Sequence, residues 1–245
     1  MRRSWASYRL LLLWQYQRNR AFLPMIVLIQ TLLGVGIVYG FALLLPNIDP
    51  TTARYLATGA PTLGLIIMGL TVVPQEVSQA KLTGRYDYIA SLPVPRLAPL
   101  AADVTFWLVA QLPGTVATLL VASLRFDIHL KVGLSVIPAI VLVALTGASV
   151  GYALASLVKP QLAQQITNFL SIGVLLFSPI NFPATRLPDV LRAVHRVLPV
   201  QYMADVVRGS LTGDYTVSAS LAFAVVAAWC AAGLALSYRV AVRRR

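Results

Sequence analysis

One cysteine, two histidines and eight acidic residues are all that 245 positions hold of the side chains on which most reaction chemistry depends. Cys230 sits inside an apolar run, which excludes an intrachain disulfide and a cysteine metal site and makes it a small buried hydrophobe. His129 and His195 are far apart and lack H-E-x-x-H spacing, so metal ligation is not indicated. No G-x-S-x-G turn occurs to present a nucleophile. No G-x-x-x-x-G-K-[ST] loop occurs either, so the chain cannot cradle a nucleotide's phosphates. Charged residues make up 11% of the sequence, where soluble domains carry roughly 25%.

What is present is apolar length. Hydrophobic residues reach 58% and the mean hydropathy is +0.76, more apolar surface than a water-soluble fold of this size can hide. The formal charge of +12 would by itself allow a nucleic-acid partner, but the basic residues sit at the chain ends and between apolar runs, not in a stripe on a polar helix. Six stretches are long enough to cross a bilayer, which takes roughly 20 apolar residues as helix. They are residues 21–45, 55–74, 97–124, 132–158, 160–182 and 217–238, with the charge-free part of the third starting at Val104. Lys159 and Pro160 alone separate the fourth from the fifth, a tight helical hairpin.

With the N-terminus inside, 13 of the 20 basic residues fall on the cytoplasmic side, as the positive-inside rule favours. They include Arg96, Arg244 and Arg245. Both termini are then cytoplasmic, and the first span is an uncleaved membrane helix. The expected fold is an all-α integral membrane protein, one transmembrane domain over residues 1–245.

Three segments between spans carry more information. Residues 4–20 place Trp5, Tyr8, Leu12 and Tyr16 on one helical stripe ending in Arg18 and Arg20, the pattern of an interfacial helix. Residues 76–92 read as a cytoplasmic elbow: Gly84 ends one short helix, and Pro93 and Pro95 stop a second over 85–92. Tyr86, Ile89 and Ala90 share a face of that second helix, to be covered by the chain's own helices or by a partner protein. Residues 183–213, broken by Pro183, Pro188 and Pro199, read as external half-helices. Val190, Leu191, Val194 and Leu198 form an apolar face there, with Arg192, His195 and Arg196 opposite. Asp205 and Arg208 follow at pairing distance.

Within the spans, Gln161, Gln164, Gln165 and Asn168 open the fifth, and Thr146 and Ser149 lie in the fourth. They glue helices together or line a polar path. Gly147 and Gly151 give a small-xxx-small spacing that lets helices approach. Asp103, at the start of the third span, is the nearest approach to an intramembrane acid, and a lone acid reads as an interfacial residue, not a proton relay.

The order of these parts resembles the type-2 ATP-binding-cassette exporter permease family. The most specific residues are Glu76, Gly84 and Ser91-Leu92-Pro93-Val94-Pro95-Arg96 in the elbow, then Phe182-Pro183, Leu187-Pro188, Leu198-Pro199, Tyr202 and Arg208 before the last span. Gly84 is followed by Arg85, Tyr86 and Asp87, where the family pattern has a small and then an acidic residue. The resemblance implies a coupling helix docking on a separate ATPase subunit through Glu76, Lys81, Gly84, Arg85, Tyr86, Asp87 and Ile89. It implies an external gate at Pro183, Pro188, Val194, Pro199, Tyr202 and Arg208, with Gln161, Gln164, Gln165 and Asn168 on the pathway.

It further implies a second permease copy or paralogue, surrounding membrane lipid, residence in the cell membrane, and ATP and Mg used only by the partner, with no cofactor on this chain. The expected activity is export of an amphiphilic or hydrophobic substrate, drug-like or lipid-like. A polysaccharide or teichoic-acid exporter remains an alternative, with Phe106, Trp107, Tyr152 and Phe169 as the aromatics that could stack on sugars. A lipid-modifying membrane enzyme is the alternative from another class, and it lacks the clustered acid, base or metal it would need.

Overall fold

The computed structural model describes residues 2–44, 48–95, 98–128, 130–131 and 133–243. Arg96, His129, Arg244 and Arg245 lie outside the described residues, as does the side chain of Ala90. Among those described every regular element is helical: α1 Arg2–Asn19, α2 Leu23–Leu44, α3 Pro50–Ile67, α4 Val73–Leu82, α5 Arg85–Ser91, α6 Ala98–Phe126, α7 Val136–Leu157, α8 Pro160–Phe177, α9 Asp189–Val197, α10 Pro199–Thr212 and α11 Ala219–Arg243.

The second apolar run starts earlier and ends later than its composition suggests. Asp49 caps α3 by accepting from the Thr52 N–H at 3.2 Å, and Pro50 stands at the first turn, where a missing N–H is harmless. At the other end, Pro74 removes one backbone donor and crowds the carbonyl four residues back. The helix absorbs this by widening into a π turn, Met68–Val72, with the Val73 N–H reaching the Met68 carbonyl. The helical path therefore runs unbroken over Pro50–Leu82, 33 residues. Glu76 and Lys81 thus belong to the end of this long helix and not to a separate elbow helix. Only α5 projects, after Gly84 turns the chain in the left-handed region (φ 72°) that favours glycine.

Among the described residues five helical segments are long and apolar enough to cross a membrane: α2, the path Pro50–Leu82, α6, α7 and the Ala219–Val240 part of α11. The helix expected as the fifth of six spans, α8, is 18 residues long with four amide side chains in its first half, and it is not among the five. It ends at Phe177, ahead of Ser178 and Pro179, not at residue 182.

The α3–α4 path is the most enclosed, with α7 and α6 next, while α2 and α11 are mostly uncovered. α7 packs on α11 and on the π turn, α6 on α1, α2 and α3, α8 on α4, and α10 on α3 and α11. The close pass of π turn and α7 explains the Gly147 and Gly151 spacing: a Cβ on Gly69 would strike the backbone of Gly147 and Ala148, and one on Gly151 would strike the Gly69 carbonyl. Large apolar side chains such as Leu28, Leu32, Leu43, Leu124, Phe169, Ile172 and Leu176 point outward, as lipid-facing surfaces require.

α1 does not bury its whole aromatic stripe. Tyr8 donates to the Thr105 hydroxyl at 3.0 Å, but Trp5 and Tyr16 stay exposed, and among the described side chains of this helix Gln15 is the buried one.

Candidate functional site

The chain's one glutamate, Glu76, joins three elements at the end of the bundle where α1 lies. Its carboxylate accepts from Arg18 of α1 at 2.5 Å and from Arg85 of α5 at 3.2 Å, and Arg85 also donates to the Glu76 backbone carbonyl at 3.1 Å. Both guanidiniums stand over the Trp14 ring, 5.4 and 5.8 Å from its centroid, a favourable placement for cations on a π face. All three charged groups are half-buried, so the pairs are less screened than surface ones. Lys81 donates to the Ala155 and Ser156 carbonyls in the last turn of α7, where helix-end carbonyls lack internal partners.

This network splits the expected docking set. Glu76, Lys81 and Arg85 spend their charges within the chain. Tyr86 packs against the core that holds Val77 and Tyr152, and Ile89 turns toward the cavities beside α1. Of that face, Tyr86 is covered by the chain's own helices, while Ile89 borders open space. Gly84 and Asp87 are exposed, and beside them stand Leu82, Tyr88 (65% exposed) and Ser91. Tyr88 escaped the sequence reading. Its signal was its position two residues from Tyr86, which on a helix is nearly the opposite face.

At the far end of the bundle the expected gate residues fall in three places. Pro183 precedes a 3-10 turn, Ala184–Arg186; Pro188 precedes α9; and Pro199 opens α10, with Leu198 extended between the two helices. Tyr202 donates to the Arg196 carbonyl at 2.9 Å, tying α10 back to α9. Arg208 is buried: it donates to the Ile180 carbonyl at 2.8 Å, lies 3.8 Å from the Tyr55 ring centroid and 3.7 Å from the Asp205 carboxylate. Asp205 in turn accepts the N–H groups of Thr216 and Val217 at 2.8 and 3.1 Å, which fixes the entry to α11.

α9 is oriented differently from the expectation. His195, expected on the polar side, is the buried residue (5% exposed), while Val190, Val194 and Val197 are 76, 46 and 69% exposed. Of the expected apolar face, Val190 and Val194 turn away from this chain, as Val197 does, while Leu191 and Leu198 are half-buried. His195 pairs with the Phe177 carbonyl at 3.0 Å at the end of α8. Burial lowers its pKa below the ordinary histidine value, and the carbonyl contact offsets part of that.

The pathway amides lie along α8. Gln161, Gln165 and Asn168 are exposed and Gln164 is half-buried. Asn168 accepts from Gln75 of α4 at 3.2 Å, and Ser171 shares a hydrogen bond with Thr71 in the π turn. A polar, uncharged strip thus runs along α8 beside the irregular part of the long helix.

The family model described as ABC-2 family transporter protein matches residues 38–239. Among curated proteins, none matches.

Proposed function

Since this chain belongs to the ABC-2 family of transporter proteins, we propose that it is the permease subunit of an ATP-driven exporter in the cell membrane, worked by a separate ATPase that docks on the exposed face of α5. The observation that carries this reading is the division of α5 into two sides. One side is fastened to α4 and, through Glu76, to α1 by Arg85 and Tyr86; the other presents Asp87 and Tyr88, with Gly84 at the helix start, exposed among the described residues. A push on that free side passes through Glu76 into a helix that continues across the bundle to Asp49. In this reading ATP and Mg are used by the partner.

In this reading α8 is the sixth span. At 1.5 Å per residue its 18 residues extend about 27 Å, close to the roughly 30 Å hydrocarbon core. Both termini are then cytoplasmic, and α9 and α10 lie at the outer face. The uncovered Val190, Val194 and Val197 are met by lipid or by a second permease. Exposed amides of α8 set among Leu162, Phe169 and Ile172 suit an amphiphilic substrate. Phe106, Trp107 and Tyr152 are packed in the core, which leaves only Phe169 of the four aromatics open to stack on a sugar and favours the amphiphile over a polysaccharide.

Tyr88→Asp tests the docking face. The side chain is mostly exposed and takes no part in the Glu76 network, so the variant folds, while a carboxylate without a partner is buried at the interface. Co-purification of the ATPase with the tagged permease should be lost and permease abundance kept. Undiminished co-purification with undiminished transport would show that the ATPase docks elsewhere.

A further inference from the structure

The two long sides of α1 carry different chemistry. One side, with Trp14, Gln15 and Arg18, borders a cavity whose carboxylates are Glu76, Asp87 and Asp103, and Arg18 is paired with Glu76. The opposite side follows the helical period through Arg9, Leu13, Tyr16 and, just past the helix end, Arg20, and all four are exposed. Arg9 and Arg20 make no hydrogen bond or ion pair among the described residues, and α1 carries no acidic residue to neutralise them. Between these two cations, Leu13 and Tyr16 form one wall of an apolar groove of about 310 Å³, with Leu23 of α2 and Phe106 and Val109 of α6 opposite. No carboxylate lines it, and the Thr105 hydroxyl on its α6 wall is already hydrogen-bonded to Tyr8.

We propose that this face of α1 binds an anionic phospholipid, with an acyl chain in the groove and the phosphate held by the guanidiniums that bracket it, Arg9 and Arg20. A groove with carbon walls gives a free phosphate nothing to hold beyond the arginines, whereas a lipid fills it. An anionic lipid is favoured over a zwitterionic one because phosphatidylcholine brings its own cation toward two uncompensated guanidiniums. A second copy of the chain has little charge to offer this face. Of the acids near this end of the bundle, Glu76 is already paired and Asp103 faces the cavity on the other side of α1, which leaves Asp87. The inference rests on the export reading only for the leaflet, the cytoplasmic one. Binding itself needs no ATPase.

The test is native mass spectrometry of the purified permease in detergent, without ATPase or nucleotide, titrated with dioleoylphosphatidylglycerol or dioleoylphosphatidylcholine. The two lipids share their acyl chains and differ in headgroup charge. The first phosphatidylglycerol is expected to bind about fivefold or more tighter than the first phosphatidylcholine, the lower bound being one arginine at a membrane surface. Arg9→Gln combined with Arg20→Gln should abolish that preference. Val109→Trp, at an already exposed position, fills the groove and should weaken the first binding of both lipids. Arg239→Gln, which removes an exposed cation of α11 outside the groove, should change neither.

No preference in the unaltered permease, a preference that survives the double arginine variant, or an equal loss in Arg239→Gln overturns the assignment; the last would make the preference a property of net charge. If the double variant does not fold, Val109→Trp decides, and unchanged phosphatidylglycerol binding there overturns it. A double variant that shifts the permease between monomer and dimer while lipid binding stays as it was gives the face to a second copy and removes the lipid site. Loss of ATPase docking in Tyr88→Asp with lipid binding intact bears on the export reading's docking face alone, and absent lipid preference with docking intact removes this site alone.

Discussion

Arg208→Met is expected to destabilise the folded chain by about 3–5 kcal/mol, the range for removing one partner of a buried ion pair. Methionine keeps most of the length and apolar volume of the side chain, so the loss isolates the guanidinium. That group donates to the Ile180 carbonyl, stacks on Tyr55 and neutralises Asp205, and both charged residues are almost fully buried. Without it Asp205 stays in place, because it accepts the Thr216 and Val217 amides, but as a carboxylate with no counter-charge. Asp205→Asn in the same chain should recover part of the loss by removing the uncompensated charge, although its single amide oxygen can keep only one of the Thr216 and Val217 bonds, which go to the two different carboxylate oxygens. Arg192→Met provides the contrast: Arg192 is half-buried, pairs with the exposed Asp189 and donates to the Ala184, Thr185 and Leu187 carbonyls, and its removal leaves no buried charge behind, so a smaller loss is expected. Thermal unfolding of the purified protein in one detergent compares the three. Equal melting points for the Arg208 and Arg192 variants would show that the buried pair does not hold the α10 segment.

Gly69→Val is the second large effect. The side chain would meet the backbone of Gly147 and Ala148 on α7, and backbone cannot rotate away as a side chain can. Overpacking typically costs about 1–3 kcal/mol. The upper part of that range or beyond is expected here, because the π turn and α7 are both central. Gly36 in α2 has nothing within 4 Å of the place a Cβ would take, so Gly36→Ala should gain about 0.5–1 kcal/mol from helix propensity. The pair is read by melting temperature and by yield of monodisperse protein. A Gly69 variant as stable as the Gly36 variant would mean that α7 does not press on the π turn.

The helices themselves were legible because lipid-length apolar runs leave the backbone only one way to satisfy its hydrogen bonds. Helix breaks were harder. Pro74 reads as a terminator in sequence, yet a π turn carries the helix past it, so Glu76 lies in the last turns of the Pro50–Leu82 path and not in a separate elbow helix.

The faces of short helices were the least legible. An apolar stripe on α9 or α5 says that something covers it, but not whether this chain, lipid or a second protein does. On α9 Val190 and Val194 face outward, Leu191 and Leu198 are half-buried and His195 turns inward; on α5 Tyr86 and Ile89 face the chain and Tyr88 faces out. The Arg18–Glu76–Arg85 network was out of reach for a different reason. Glu76 and Arg18 are 58 residues apart, and no local period relates the end of one helix to the end of another.

ATP hydrolysis by the co-purified ATPase subunit, measured in proteoliposomes with and without this permease, tests the central claim most directly because it requires no knowledge of the substrate. The account predicts a rate that changes when the permease is added and returns to that of the ATPase alone when the permease carries Tyr88→Asp. A rate indifferent to both the permease and the substitution would contradict it.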